Sequence, residues 1–231
     1  PMLTPPEIAR SLLAAGESKA RLPFGKMLLL AILAGAYIAL AGVGATAAAV
    51  TVESGSLAKL LSACVFPAGL SMVILAGSEL FTGNCLMVMA LLERRITPAQ
   101  LLRNWLTVYL GNAVGGAAVA ALAVYSHTAS LFGDGLARSM VSIAESKAAL
   151  GFGDAFLRGV LCNFLVCLAV WMAAASKRAE GKVIALFFPI LLFVLCGYEH
   201  CIANLYYLPA GAFAAAEYGM ETTLTLAGCL E

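Results

Sequence analysis

Two short stretches carry the groups of this chain that could do chemistry. One is Gly77-Ser78-Glu79-Leu80-Phe81-Thr82-Gly83-Asn84 and the other is Gly197-Tyr198-Glu199-His200-Cys201-Ile202-Ala203-Asn204. Both read G-x-E-x-x-x-x-N, and they lie 120 residues apart. Each sits in an apolar run, where a carboxylate and an amide are costly unless bonded. His200 is the sharpest feature. A neutral imidazole can donate a hydrogen bond, and a protonated one can hand over a proton. In an apolar span an ionisable group is a functional hypothesis by default; the plainer alternative is a core histidine bonded to one carbonyl. Thr82 offers a hydroxyl, or merely a helix cap or back-bond. Glu199 either supports a neighbouring ion or accepts from backbone amides. Glu79 reads as structural, accepting from the amides of its own loop.

Enzymatic chemistry has little to stand on. There is no H-E-x-x-H, His127 lies in a polar stretch, and a zinc site lacks ligands. No G-x-S-x-G occurs. Glu199-His200 is the one hint of an intramembrane hydrolase. A non-transporting structural membrane protein is the other alternative, and it leaves the two polar interruptions without purpose. The seven cysteines are odd in number and form no C-x-x-C, so most read as small apolar core residues and not as a disulfide framework. No metal or cofactor is expected.

The elements that must hold these groups follow from composition. Hydrophobic residues make up 62% and charged ones 12%, against about half and a quarter in soluble domains. With mean hydropathy at +0.94, the chain reads as all-α and polytopic in a membrane. A net charge of +1 gives no reason to expect nucleic acid as a partner. Residues 1–26 form an amphipathic start, with Thr4 before Pro5 and Pro6 as a helix N-terminus. Residues 26–52 make the first span. Residues 57–92 are too long and too broken for one ordinary span, with Pro67 and then the first polar stretch interrupting them; a half-helix, a buried loop and a second half-helix are expected. Thr97 and Pro98 start a span over 98–125. Residues 126–153 form a polar connection with a short helix near 136–147, and residues 154–175 form the fourth span. Residues 183–216 form a fifth segment broken at Pro189 and again at the second polar stretch.

Two apolar segments broken at corresponding places in two halves point to a transport site near the bilayer midplane. The halves are 27–125 and 154–231, within a single channel domain over 1–231. With the N-terminus on the cytoplasmic side of the inner membrane, ten of the fourteen Lys and Arg residues fall inside, in line with the positive-inside rule. About five spans are present. An inverted repeat of 3+3 needs a sixth helix, so truncation after Glu231 is expected, with a natural five-span chain as the alternative.

The stretch 77–84, then Asn104-Trp105-x-x-x-Tyr109-x-Gly111-Asn112, then Asn163-x-x-Val166-Cys167-Leu168-Ala169-Val170-Trp171, then 197–204, resembles the formate/nitrite transporter family. The resemblance runs from about residue 8 to the end. It implies an aquaporin-like protomer with broken second and fifth helices, a sixth helix, and a homopentamer in which each protomer has its own pore. It implies passage of small monovalent weak-acid anions (formate, nitrite or hydrosulfide), as a channel or linked to protons. Membrane lipid is the other partner. By this resemblance His200 is the central pore histidine with Thr82 opposite. Lys147, sixteen residues before Asn163, dips towards the pore, with Asn163, Asn204 and Glu199 as its hydrogen-bonding scaffold. Phe66 and Phe193 close the outer side of the pore. Leu70, Leu80, Phe81 and Val166 close the inner side.

Overall fold

A computed structural model describes residues 2–224; the last residues of the second half, 225–231, including Cys229, lie outside the described residues. All regular structure among the described residues is helical. The amphipathic start is α1 (Pro5–Ala20). Its first turn is fixed by Thr4, whose N–H donates to Glu7 Oε2 at 2.7 Å. The first span is α2 (Phe24–Ala49), 26 residues, long enough to cross about 30 Å of hydrocarbon. The second segment divides into α3 (Gly55–Gly77) and α4 (Phe81–Leu92). Then come α5 (Pro98–Tyr125), α6 (Gly135–Ala148), α7 (Phe152–Ala174), α8 (Ala179–Leu195) and α9 (Cys201–Glu217). Thr97 caps α5: its hydroxyl accepts from Gln100 N–H, and Gln100 Oε1 accepts from Thr97 N–H at 2.9 Å.

Among the described residues four helices (α2, α3, α5 and α7) are each long and apolar enough to span a membrane. The fifth segment is two 17-residue helices, α8 and α9. It has one break and not the two expected, because α8 runs through Pro189 without ending. Proline removes one backbone donor and crowds the preceding turn. Pro189 is buried between neighbouring helices, and packing there holds the helix together where local propensity would end it. Pro209 is likewise carried inside α9.

The order of elements repeats. An amphipathic helix (α1, α6) precedes a span (α2, α7), which precedes a broken segment (α3 and α4; α8 and α9). Both breaks fall at a glycine with positive φ, Gly77 at 80° and Gly197 at 70°. This left-handed turn disfavours a Cβ, so glycine is the residue that permits it. The second polar stretch therefore recurs because the same turn recurs. In the first half α5 closes tightly on α2. A Cβ on Gly115 would lie 2.0 Å from the backbone oxygen of Ile32, so no other residue allows that approach.

Candidate functional site

The four half-helices bring the two polar stretches together. His200 stands immediately before α9, in extended conformation, and caps it: Nδ1 accepts from Ala203 N–H at 2.9 Å. A backbone N–H can only donate, so Nδ1 carries no proton and the neutral ring is protonated on Nε2. Nε2 lies 3.0 Å from Thr82 Oγ1 on α4, across 118 residues of chain. The Nε2–H therefore donates to the Thr82 hydroxyl, which keeps its own proton to give elsewhere. A second proton on Nδ1 would break the Ala203 cap. Both side chains are buried, at 4% and 3% exposure. Thr82 and His200 sit at the starts of α4 and α9, and the N-terminal ends of these half-helices place partial positive charge at the site.

Aromatic rings close one side. Phe193 stacks on His200 with centroids 5.6 Å apart and planes 15° apart, and Phe66 meets Phe193 edge-on at 5.6 Å. Both phenylalanines line a cavity of about 710 Å³ that reaches His200 and also exposes Lys147, Glu199 and Tyr207. Leu70, Leu80 and Val166 are buried in the same apolar cluster as the two phenylalanines. Phe81 is edge-on to Trp105 and Tyr109 and lines a second cavity of about 500 Å³ together with Thr82 and His200. His200 thus borders both cavities.

The ion pairs repeat with the helices. Lys147, near the end of α6, places Nζ 2.6 Å from Glu199 Oε2 and 5.2 Å from the Tyr207 ring centroid. Asn204 Nδ2 donates to the same carboxylate oxygen at 2.9 Å. In the first half Lys19 Nζ lies 2.7 Å from Glu79 Oε1, and Asn84 Nδ2 donates to Glu79 Oε2 at 2.7 Å. The glutamate of each stretch therefore joins the amphipathic helix of its own half to the asparagine five residues on. This corrects the expectation for Glu79, whose partners are Lys19 and Asn84 and not the amides of its loop. Lys19 is the residue that sequence reasoning missed. A signal was available: Lys19 precedes Phe24 by five residues, as Lys147 precedes Phe152. Asn112, which the sequence offered only as part of a family motif, also has a definite place. Its Oδ1 accepts from Phe81 N–H at 3.0 Å, and its Nδ2 donates to Ala31 O and Glu79 O, so it ties α5 to the first break.

Asn163 is placed differently from Asn204. It makes no bond to Lys147 or Glu199; Nδ2 points to Cys167 Sγ at 3.7 Å, and its Oδ1 has no partner among the described residues. It lines the second cavity with Phe156, Gly159, Val160 and Phe164. Shifted by 128 residues, these are the positions of Leu28, Ala31, Ile32, Gly35 and Ala36 on α2. Those residues border the glycines and asparagine of α5. The second cavity is thus the counterpart of the surface that α5 covers in the first half.

Outside the spans, Glu145 on α6 accepts from the backbone N–H of Thr223 at 2.8 Å and from the hydroxyl of Thr222 at 2.9 Å. These bonds favour the ionised carboxylate and hold its pKa below the usual value, the Thr223 bond most strongly. They fasten the segment after α9 to the helix that carries Lys147.

The sequence pattern of the family described as "Formate/nitrite transporter" matches residues 6–229. A "Probable formate transporter" of Methanothermobacter thermautotrophicus is 38% identical over 229 residues, covering 91% of this chain and 83% of the relative. "Formate channel FocA" of Haemophilus influenzae is 41% identical over 187 residues, covering 80% of this chain and 66% of the relative. Among solved structures, a "Pentameric formate channel with formate bound" superposes with a TM-score of 0.79 at 30% identity, covering 90% of this chain and 87% of that one.

Proposed function

The chain belongs to the formate/nitrite transporter family, and from that premise we propose that it conducts small monovalent weak-acid anions across a membrane through a pore centred on His200 and Thr82. Members of this family are transporters and not enzymes, which removes the hydrolase reading of Glu199-His200. Formate is the first anion to test, because the matched relatives are named for it; nitrite and hydrosulfide are the others. The chain would act in the inner membrane with its N-terminus cytoplasmic, so that the larger cavity faces outward and α1 lies inside. It would assemble as a homopentamer, as the solved relative does.

The observation that carries this reading is the 3.0 Å contact between His200 Nε2 and Thr82 Oγ1, made where two broken segments meet. An anion entering the larger cavity passes Lys147 and then the ring pair Phe66–Phe193. At the centre it meets one donor network, His200 Nε2–H to Thr82 and the Thr82 O–H. Leu70, Leu80, Phe81 and Val166 close the path beyond. The cap from Ala203 to Nδ1 favours a neutral donor over a proton carrier, since carrying a proton would cost that bond. Asn204 and Glu199 hold Lys147 in the wall, while Asn163 serves the opposite side of the site.

The test is flux of formate, nitrite and hydrosulfide into proteoliposomes, with and without His200→Ala. Wild type is expected to conduct at least one. The variant loses the Nε2–H that orients the Thr82 hydroxyl towards the anion, a neutral hydrogen bond worth about 0.5–1.5 kcal/mol, and should conduct roughly three- to tenfold more slowly. Wild-type vesicles impermeable to all three anions would defeat the reading.

A further inference from the structure

Building on the anion-transport reading, we propose that Lys59, seconded by Arg138, is the group that captures the anion in the larger cavity before it reaches Lys147. Three cations line this cavity, Lys59, Arg138 and Lys147, with one carboxylate, Glu199. Glu199 is closed on Lys147 at 2.6 Å, so that pair presents little net charge to an arriving ion. The unmatched positive charge belongs to the other two.

Lys59 is exposed in the first turns of α3 and has no ion-pair partner among the described residues. It is close enough to Lys147, Glu199 and Arg158 to interact with them electrostatically. Arg138 is held to the wall by donation from Nη2 to Gly133 O at 2.8 Å, which fixes its position and leaves its charge uncompensated. Asp134, four residues earlier and immediately before α6, forms no ion pair with it and does not line the cavity. Phe66 and Phe193 give this cavity an apolar lining next to His200. A concave site with low-dielectric walls and one sign of charge focuses the field and raises the local concentration of counter-ions. Lys59 is therefore assigned to capture, and the ring pair to passage.

The experiment measures initial formate uptake against formate concentration, at low and at high ionic strength, in cells that lack formate channels of their own. The proteins are wild type, Lys59→Gln, Lys59→Arg and the double variant Lys59→Gln/Arg138→Gln, each checked for its melting temperature in detergent. At low salt Lys59→Gln should raise the half-saturating concentration roughly three- to tenfold with little change in maximal rate, in the range of electrostatic steering. Lys59→Arg should behave as wild type, and the double variant should shift further. All curves should converge at high salt, where charges beyond a Debye length are screened. An unchanged half-saturating concentration in Lys59→Gln, or a lower maximal rate at unchanged half-saturation, would overturn the proposal. In either case wild-type uptake shows that the transport reading itself stands. Wild-type cells that take up no formate would overturn both.

Discussion

At the scale of single residues, the site depends on which atom of a side chain is already in use. His200 has two ring nitrogens, and the helix cap takes one. What remains for chemistry is Nε2–H, and it is spent on Thr82. Thr82→Val tests this directly. The substitution keeps the shape but leaves a buried N–H without its acceptor, at a cost of about 1–3 kcal/mol. We expect a lower melting temperature in detergent and a reduced formate flux, with Thr82→Ser close to wild type in both. A Thr82→Val protein that melts and conducts as wild type would show that the 3.0 Å contact has no role. His200 and Thr82 were legible as candidates in the sequence, because polar groups inside apolar runs stand out. Their tautomer and mutual distance were not, because these depend on where two stretches 120 residues apart meet. Lys19 was hidden for the opposite reason: a lysine in an amphipathic helix looks solvated, and only its contact with Glu79 shows otherwise.

At the scale of elements, the breaks follow from glycine and the spans from apolar runs, and both were visible in the sequence. The two prolines within α8 and α9 show the limit of local signals. Pro189 and Pro209 mark a helix end by propensity and do not make one here, because tertiary packing carries the helix past them. The α2–α5 contact lies closer to what the sequence shows, since Gly111 and Gly115 announce a tight approach. Gly115→Leu would place a side chain where the Ile32 carbonyl stands. Overpacking of this kind costs about 1–3 kcal/mol or more, and here backbone and not a flexible side chain would have to move. We expect little folded protein in detergent extracts, and Gly115→Ala intermediate between Leu and wild type. The contact of α6 with the segment after α9 gives a pH-dependent term. The pKa of Glu145 is lowered by folding, so its contribution is complete above the unfolded carboxyl value of about 4.3 and is lost as pH falls through the lower folded value. Wild type should therefore melt above Glu145→Ala at neutral pH, and the difference should vanish in strong acid. A difference that persists unchanged there would mean that Glu145 acts by packing and not by charge.

At the scale of the whole molecule, one chain leaves long apolar faces uncovered. On α5, Leu102, Leu106, Leu110 and Val114 recur every fourth residue, each more than half exposed. On α7, Phe156, Val160 and Phe164 do the same, on the face whose counterpart in the first half is covered by α5. Hydrocarbon accepts such faces as readily as a protein neighbour does, so exposure alone does not separate lipid from partner. The four-residue spacing says only that each set forms one stripe on its helix. What separates lipid from partner is assembly, and the pentameric relative sets the expectation. Native mass spectrometry after gentle detergent removal should give five copies of a 23.9 kDa chain. Each protomer holds its own His200–Thr82 contact and its own larger cavity, so the function proposed above expects a separate pore within each copy. Mixed pentamers of wild type and His200→Ala should then conduct in proportion to their wild-type content. Loss of all flux on the first mutant copy would place the path between protomers. A monodisperse monomer that conducts would remove the pentamer from the account while leaving the pore within the chain.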